Sequence, residues 1–126
     1  MKKPSYEVWE VIEGRTDLRV SLEALIDDWE GFRLLLRDFQ TDRMIRIAFP
    51  SVIAYQTRDE SDLDGESARS TGLKRGSFYQ SINSEFLDRF VADSARTPEN
   101  VVHFLVVTNS DCVDVLTSGR PVVTRL

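Results

Sequence analysis

The sequence predicts an α+β domain, a largely antiparallel sheet of six to seven strands with one main helix, at about residues 84–95, packed on it. Three observations carry this. β-Branched and aromatic residues fall in short runs bounded by polar turn clusters. Several links between runs are so short that they demand antiparallel neighbours. One segment, 84–95, clearly sets its apolar residues at helical spacing.

The first strand is expected over 6–13, ended by Gly14-Arg15-Thr16-Asp17, where Gly14 is free to take positive φ. Residues 17–29 fit two templates. Leu18, Val20 and Leu22 alternate as in a strand, whereas Leu18, Leu22, Leu25, Ile26 and Trp29 share a helical face. We read a strand that gives way to a short helical turn at about 23–28. Strands over 32–38 and 43–49 are joined by 39–42 and must pair antiparallel. Ile45, Ile47 and Phe49 take one face; Met44, Arg46 and Ala48 take the other, which is only partly covered. Pro50 lacks an amide donor and ends the ladder, and 52–57 returns as the third strand of a meander.

From Arg58 to Gly76 the composition turns charged and small, which reads as a long exposed loop; loops of this length are mobile or functional. Order resumes at 78–82. In the helix, Phe86, Leu87, Phe90 and Val91 form the apolar stripe, Asn83 is the expected N-cap, and Glu85 sits in the first turn, where the helix dipole favours an anion. Ile82 would staple onto Leu87, and Thr97-Pro98 marks the stop. Residues 101–107 are apolar on both faces except for His103, which predicts a central strand. A hairpin turn at 108–111 leads to 112–117, where Asp114 opposes Val113 and Val115 and places the strand nearer an edge. Gly119-Arg120-Pro121 then breaks the pattern before a short apolar tail.

With 126 residues, one core and one domain (1–126) are expected. A hydrophobic share of 41% against 29% charged sets the chain apart from disordered sequences. The formal net charge of −5 would repel a phosphate backbone, and the 16 Lys and Arg are scattered, with Lys74-Arg75 the densest group. Nucleic acid is therefore not an expected partner; a basic protein is. A single cysteine, Cys112, excludes an internal disulfide and, with a single histidine, any zinc site of the usual Cys/His count. Lys2 and Lys3 meet Pro4, Ser5 and Glu7 rather than an apolar stretch, and no run approaches the ~20 apolar residues of a membrane span. The expected location is cytoplasmic, with no membrane contact.

Few residues could carry chemistry. His103 is the side chain with an ordinary pKa suited to general base work, but its apolar strand points to a hydrogen-bonded core histidine. Cys112 has no flanking cation to activate it. Glu60, Asp62 and Asp64 followed by Gly65 resemble the first half of a calcium loop, yet Thr71 stands where a bidentate glutamate is wanted. Trp9, Trp29, Tyr6, Tyr55 and Tyr79 could anchor a partner, though aromatics in so small a domain mostly fill the core. No phosphate loop, nucleophile elbow or dinucleotide fingerprint occurs, and no cofactor or metal is expected.

The stretches Tyr55-Gln56-Thr57-Arg58-Asp59-Glu60-Ser61-Asp62, Asn83-Ser84-Glu85-Phe86-Leu87-Asp88-Arg89-Phe90 and His103-Phe104-Leu105-Val106-Val107-Thr108, with Val113-Asp114-Val115-Leu116 after the last, resemble a family of small single-domain bacterial proteins described only as uncharacterised. The resemblance implies a bacterial α+β domain and brings no catalytic residue with it.

The expected function is a non-catalytic, acidic protein-binding domain, with Asp59, Glu60, Asp62, Asp64 and Glu66 facing a basic partner. An immunity-type inhibitor is one form of this, by analogy of size, charge and fold class. The alternative is a small enzyme or ligand-binding site near His103, between sheet and helix. A homodimer through an exposed strand at 112–117 is compatible with either.

Overall fold

Strict alternation builds the first sheet. The computed structural model describes residues 5–59, 76–81, 84–93, 100–109 and 111–126. In β3 (Gly31–Asp38), Phe32, Leu34 and Leu36 are buried while Arg33, Leu35 and Arg37 face outward. It pairs antiparallel with β2 (Val20–Asp28) on one side and β4 (Met44–Phe49) on the other. Ile45, Ile47 and Phe49 are buried and the opposite face of β4 is half-buried, as the pattern predicted. Residues 23–28 stay in β2 and form no helical turn. A bulge between Leu22 and Ala24 shifts the alternation by one residue, which is what gave this stretch its helix-like spacing.

A second sheet has the order β1-β6-β7-β8-β5, formed by β1 (Tyr6–Val8), β6 (Phe78–Ser81), β7 (Val102–Val107), β8 (Asp111–Thr117) and β5 (Val52–Asp59). The 6–13 strand is thus confined to 6–8, with an isolated bridge from Ile12 to Arg15. β7 is central, as expected. β5 does not complete a meander with β3 and β4: after Pro50 and Ser51 the chain crosses to the other sheet and pairs with β8. β8 is therefore interior, one strand in from the edge strand β5, and Asp114 is fully buried. The reason is electrostatic, since Gln56 and Arg58 on β5 meet the Asp114 carboxylate. The free side of β4 is taken by β9 (Val122–Arg125), the segment expected to be a tail. The described residues hold nine strands in two antiparallel sheets, more than the six to seven expected, with one helix, α1 (Glu85–Asp93).

The two sheets pack face to face. Val20, Leu34, Leu36, Ile45, Ile47 and Phe49 meet Phe78, Phe104, Val106, Val113 and Val115 in one core. Each such side chain, taken wholly out of water, contributes about 1.5–3 kcal/mol. Phe49 lies 6.1 Å from Phe104 and Phe32 lies 4.5 Å from Tyr55, ring centre to ring centre. The sheets are also stitched through Ser77, whose N–H donates to the Leu18 carbonyl (2.8 Å) and whose hydroxyl accepts the Val20 N–H (3.0 Å). The outer face of the five-stranded sheet carries a smaller cluster, Tyr6, Tyr79, Leu105 and Cys112, and beside it His103 and Asp114. Helix α1 meets this face, with Phe86 edge-on to His103 at 5.7 Å.

Ser84 caps the helix: its hydroxyl accepts the Leu87 N–H (2.9 Å) and its carbonyl accepts the Asp88 N–H (3.1 Å). Asn83, Ile82, Ala95 and the Thr97-Pro98 stop lie outside the described residues, as do 60–75 of the expected loop. No helix among the described residues is long and apolar enough to cross a membrane.

Candidate functional site

Two places concentrate chemistry. The first is a line of polar side chains across the outer face of the five-stranded sheet. Strand pairing puts Ser81 opposite His103 and Gln56 opposite Asp114, with His103 and Asp114 on neighbouring strands. His103 Nε2 is 2.6 Å from Asp114 Oδ1, and Ser84 Oγ is 2.6 Å from His103 Nδ1. Asp114 also accepts from Gln56 Nε2 (3.1 Å) and from Arg58, at 2.8 Å through Nε and 3.3 Å through Nη2. Burial works to raise the Asp114 pKa, but the His103 hydrogen bond and the His103 and Arg58 charges outweigh it and hold the carboxyl below its ordinary value.

An ionised carboxylate only accepts, so Nε2 carries the proton facing it. Nδ1 then accepts the Ser84 O–H in the neutral imidazole and donates to Ser84 Oγ in the protonated one. Serine, histidine and aspartate stand in the order of a nucleophile, a base and its orienting acid. Their commitments point to a different role. The Ser84 hydroxyl already accepts the Leu87 amide, and both Asp114 oxygens are filled by donors from three residues. The recess beside them, lined by Tyr6, Ser81, Glu85 and Arg89 among others, has a volume of about 40 Å³. That suits two or three waters, against roughly 300–1,000 Å³ for a ligand pocket. A polar network satisfied at both ends is a clasp, and this one fastens the first turn of α1 to the central strands.

The second place is the β2–β3 turn. Asp28 pairs with Gly31, leaving Trp29 and Glu30 as the turn. Gly31 has φ +112, a conformation side chains oppose. Asp28 Oδ1 accepts the Glu30 N–H (2.9 Å) and an Arg33 N–H (2.9 Å), and Arg33 also donates to the Gly31 carbonyl (3.0 Å). The Arg33 hydrogen bond holds the Asp28 carboxyl below its usual pKa. On this braced turn Trp29 is 91% exposed. Beside it lies a cleft of about 420 Å³ between the edge strands β2 and β5, walled by Phe32, Phe49, Pro50, Ile53 and Tyr55, with Asp27 as its single charged lining residue.

Of the acidic residues expected to bind, only Asp59 is described. It is exposed at the far end of β5, opposite Asp111 and roughly 13 Å along the strand from Tyr55 at the cleft. Glu60, Asp62, Asp64 and Glu66, and with them the calcium-like half-loop, lie outside the described residues. His103 is a buried, hydrogen-bonded residue, as its strand suggested, and Cys112 is buried. Tyr6 and Tyr79 are core residues and Trp9 packs against the main cluster, but Trp29 does not fill the core. Sequence reasoning missed Ser84 and Asp114 as partners of His103. The signal was faint: a serine immediately before the helical stripe, and a lone aspartate in an apolar run. Among the described residues, no three His, Cys, Asp or Glu side chains come together as metal ligands would. Comparison of the chain with family models, with curated proteins and with solved structures returns no match.

Proposed function

We propose that this chain is a non-catalytic protein-binding domain whose contact surface is centred on the Trp29 turn and the adjoining cleft. The observation that carries the reading is the exposure of Trp29 on a turn locked by Asp28, Gly31 and Arg33. A large indole left in water on a rigid support is costly as scaffolding and apt as an anchor, because little entropy remains to be lost when a partner covers it. The net charge of −5 favours a basic partner and a fast, salt-sensitive encounter. Inhibition of a basic protein, as an immunity-type inhibitor performs it, is one role such a surface suits, by analogy alone.

The test is quantitative capture from the native host with wild type and Trp29→Ala as baits, at low and at high salt. A basic protein retained by wild type, weakened by salt and lost on Trp29→Ala is the expected result. Retention that ignores the substitution would sink the proposal.

A further inference from the structure

We infer that the cleft beside Trp29 receives an arginine or lysine side chain from an apolar segment of the partner, its alkyl stem on the cleft wall and its cation on Asp27. This rests on the protein-binding reading above and names the chemistry of the partner.

The carboxylates around the turn are not equivalent. Asp28 and Glu30 share Arg33, at 2.9 and 3.8 Å, and Glu23 is held by Arg37 at 2.7 Å. Asp27 has no such cation among the described residues. Its register opposite Phe32 places it on the inner-face side of β2, at the mouth of the cleft, where its carboxylate is still exposed to water. A partner that covers this cleft removes water from the Asp27 carboxylate. Covering it with purely apolar groups would strand a charge, which costs far more than the apolar contact returns. The occupant must therefore carry a cation and still present hydrocarbon to Phe32, Pro50, Ile53 and Tyr55.

Arginine and lysine do both, with an apolar stem and a charged head. The ring of Tyr55, 38% exposed, adds a π face for the cation. A second copy of this chain is a poor occupant: it would bring the same surplus of acid, −5 against −5. An inward-pointing charge on an edge strand is also a device that discourages pairing between copies.

The probe is a display library of random short peptides selected on wild type, Asp27→Asn and Trp29→Ala, with thermal melts to show that all three fold. On wild type the selected peptides should carry Arg or Lys at a fixed position beside apolar residues. A selected peptide should bind Asp27→Asn about tenfold more weakly and lose that preference as salt rises. Asp27→Lys should instead select Asp or Glu at that position. Peptides that depend on Trp29 but carry no cation, or bind Asp27→Asn undiminished, overturn this inference and leave the protein-binding reading standing. Peptides indifferent to Trp29→Ala, or no peptide retained by wild type, overturn both.

Discussion

Replacing Asp114 by alanine should be among the most damaging single changes in this protein. The carboxylate is fully buried and accepts from His103, Gln56 and Arg58, whose side chain is itself only 21% exposed. Its removal takes the buried Asp114 charge away from the Arg58 guanidinium and leaves an imidazole N–H without its acceptor. Breaking a buried pair from one side costs about 3–5 kcal/mol. With an unfolding entropy near 2.1 cal/mol/K per residue, a chain of 126 residues would lose roughly 10–20 °C in Tm. Asp114→Asn keeps the shape and should cost less. Urea unfolding followed by circular dichroism, across a range of pH, measures both. Because the folded carboxyl titrates below its unfolded value, the stability it adds is fully present above the unfolded pKa of about 3.9 and is lost as pH falls further, toward the folded value. The gap between wild type and Asp114→Asn should thus be constant near neutrality and close in acid. Asp38, lowered chiefly by its Arg15 hydrogen bond, keeps part of the acid sensitivity in the variant. An Asp114→Ala protein within about 1 kcal/mol of wild type, or a gap that widens in acid, would refute the role given to the clasp.

Ser84→Ala removes the helix cap and the hydrogen-bond partner of His103 Nδ1 together and should cost about 2 kcal/mol by urea unfolding, with Ser84→Asn recovering part of it through the cap alone. Gly31→Ala meets nothing within 4 Å, so its cost comes from the backbone at φ +112, about 1–2 kcal/mol, and appears as a lowered Tm with no change in the folded spectrum. Trp29→Ala should leave stability within about 0.5 kcal/mol while abolishing partner binding; a large loss of stability would mean that the ring packs where the structure shows it exposed.

How much of this was legible depends on the range of the interactions involved. β3, β4 and the central β7 follow from alternation and apolar runs, which are local. The bulge in β2 disguised a strand because one extra residue changes the face of everything after it. Asp114 marked its strand as one nearer an edge because the groups that make its burial tolerable, Gln56 and Arg58, lie more than fifty residues earlier and meet it only through the β5–β8 pairing. β9 is four residues long and reads as a tail until β4 supplies its partner. His103 was singled out from its own chemistry, whereas its two partners needed the topology. Trp29 was assigned to the core on frequency, and the exception is what makes it informative.

The crossing of β5 from one sheet to the other has a consequence for cutting the chain. β1 belongs with β6 through β8, β2 through β4 wait for β9, and β5 lies between them in sequence while serving the other sheet. The two layers are laced together like clasped fingers, so no nick between β2 and β8 releases a fragment that retains either layer whole. Split halves of this protein should stay unstructured apart and regain order when mixed.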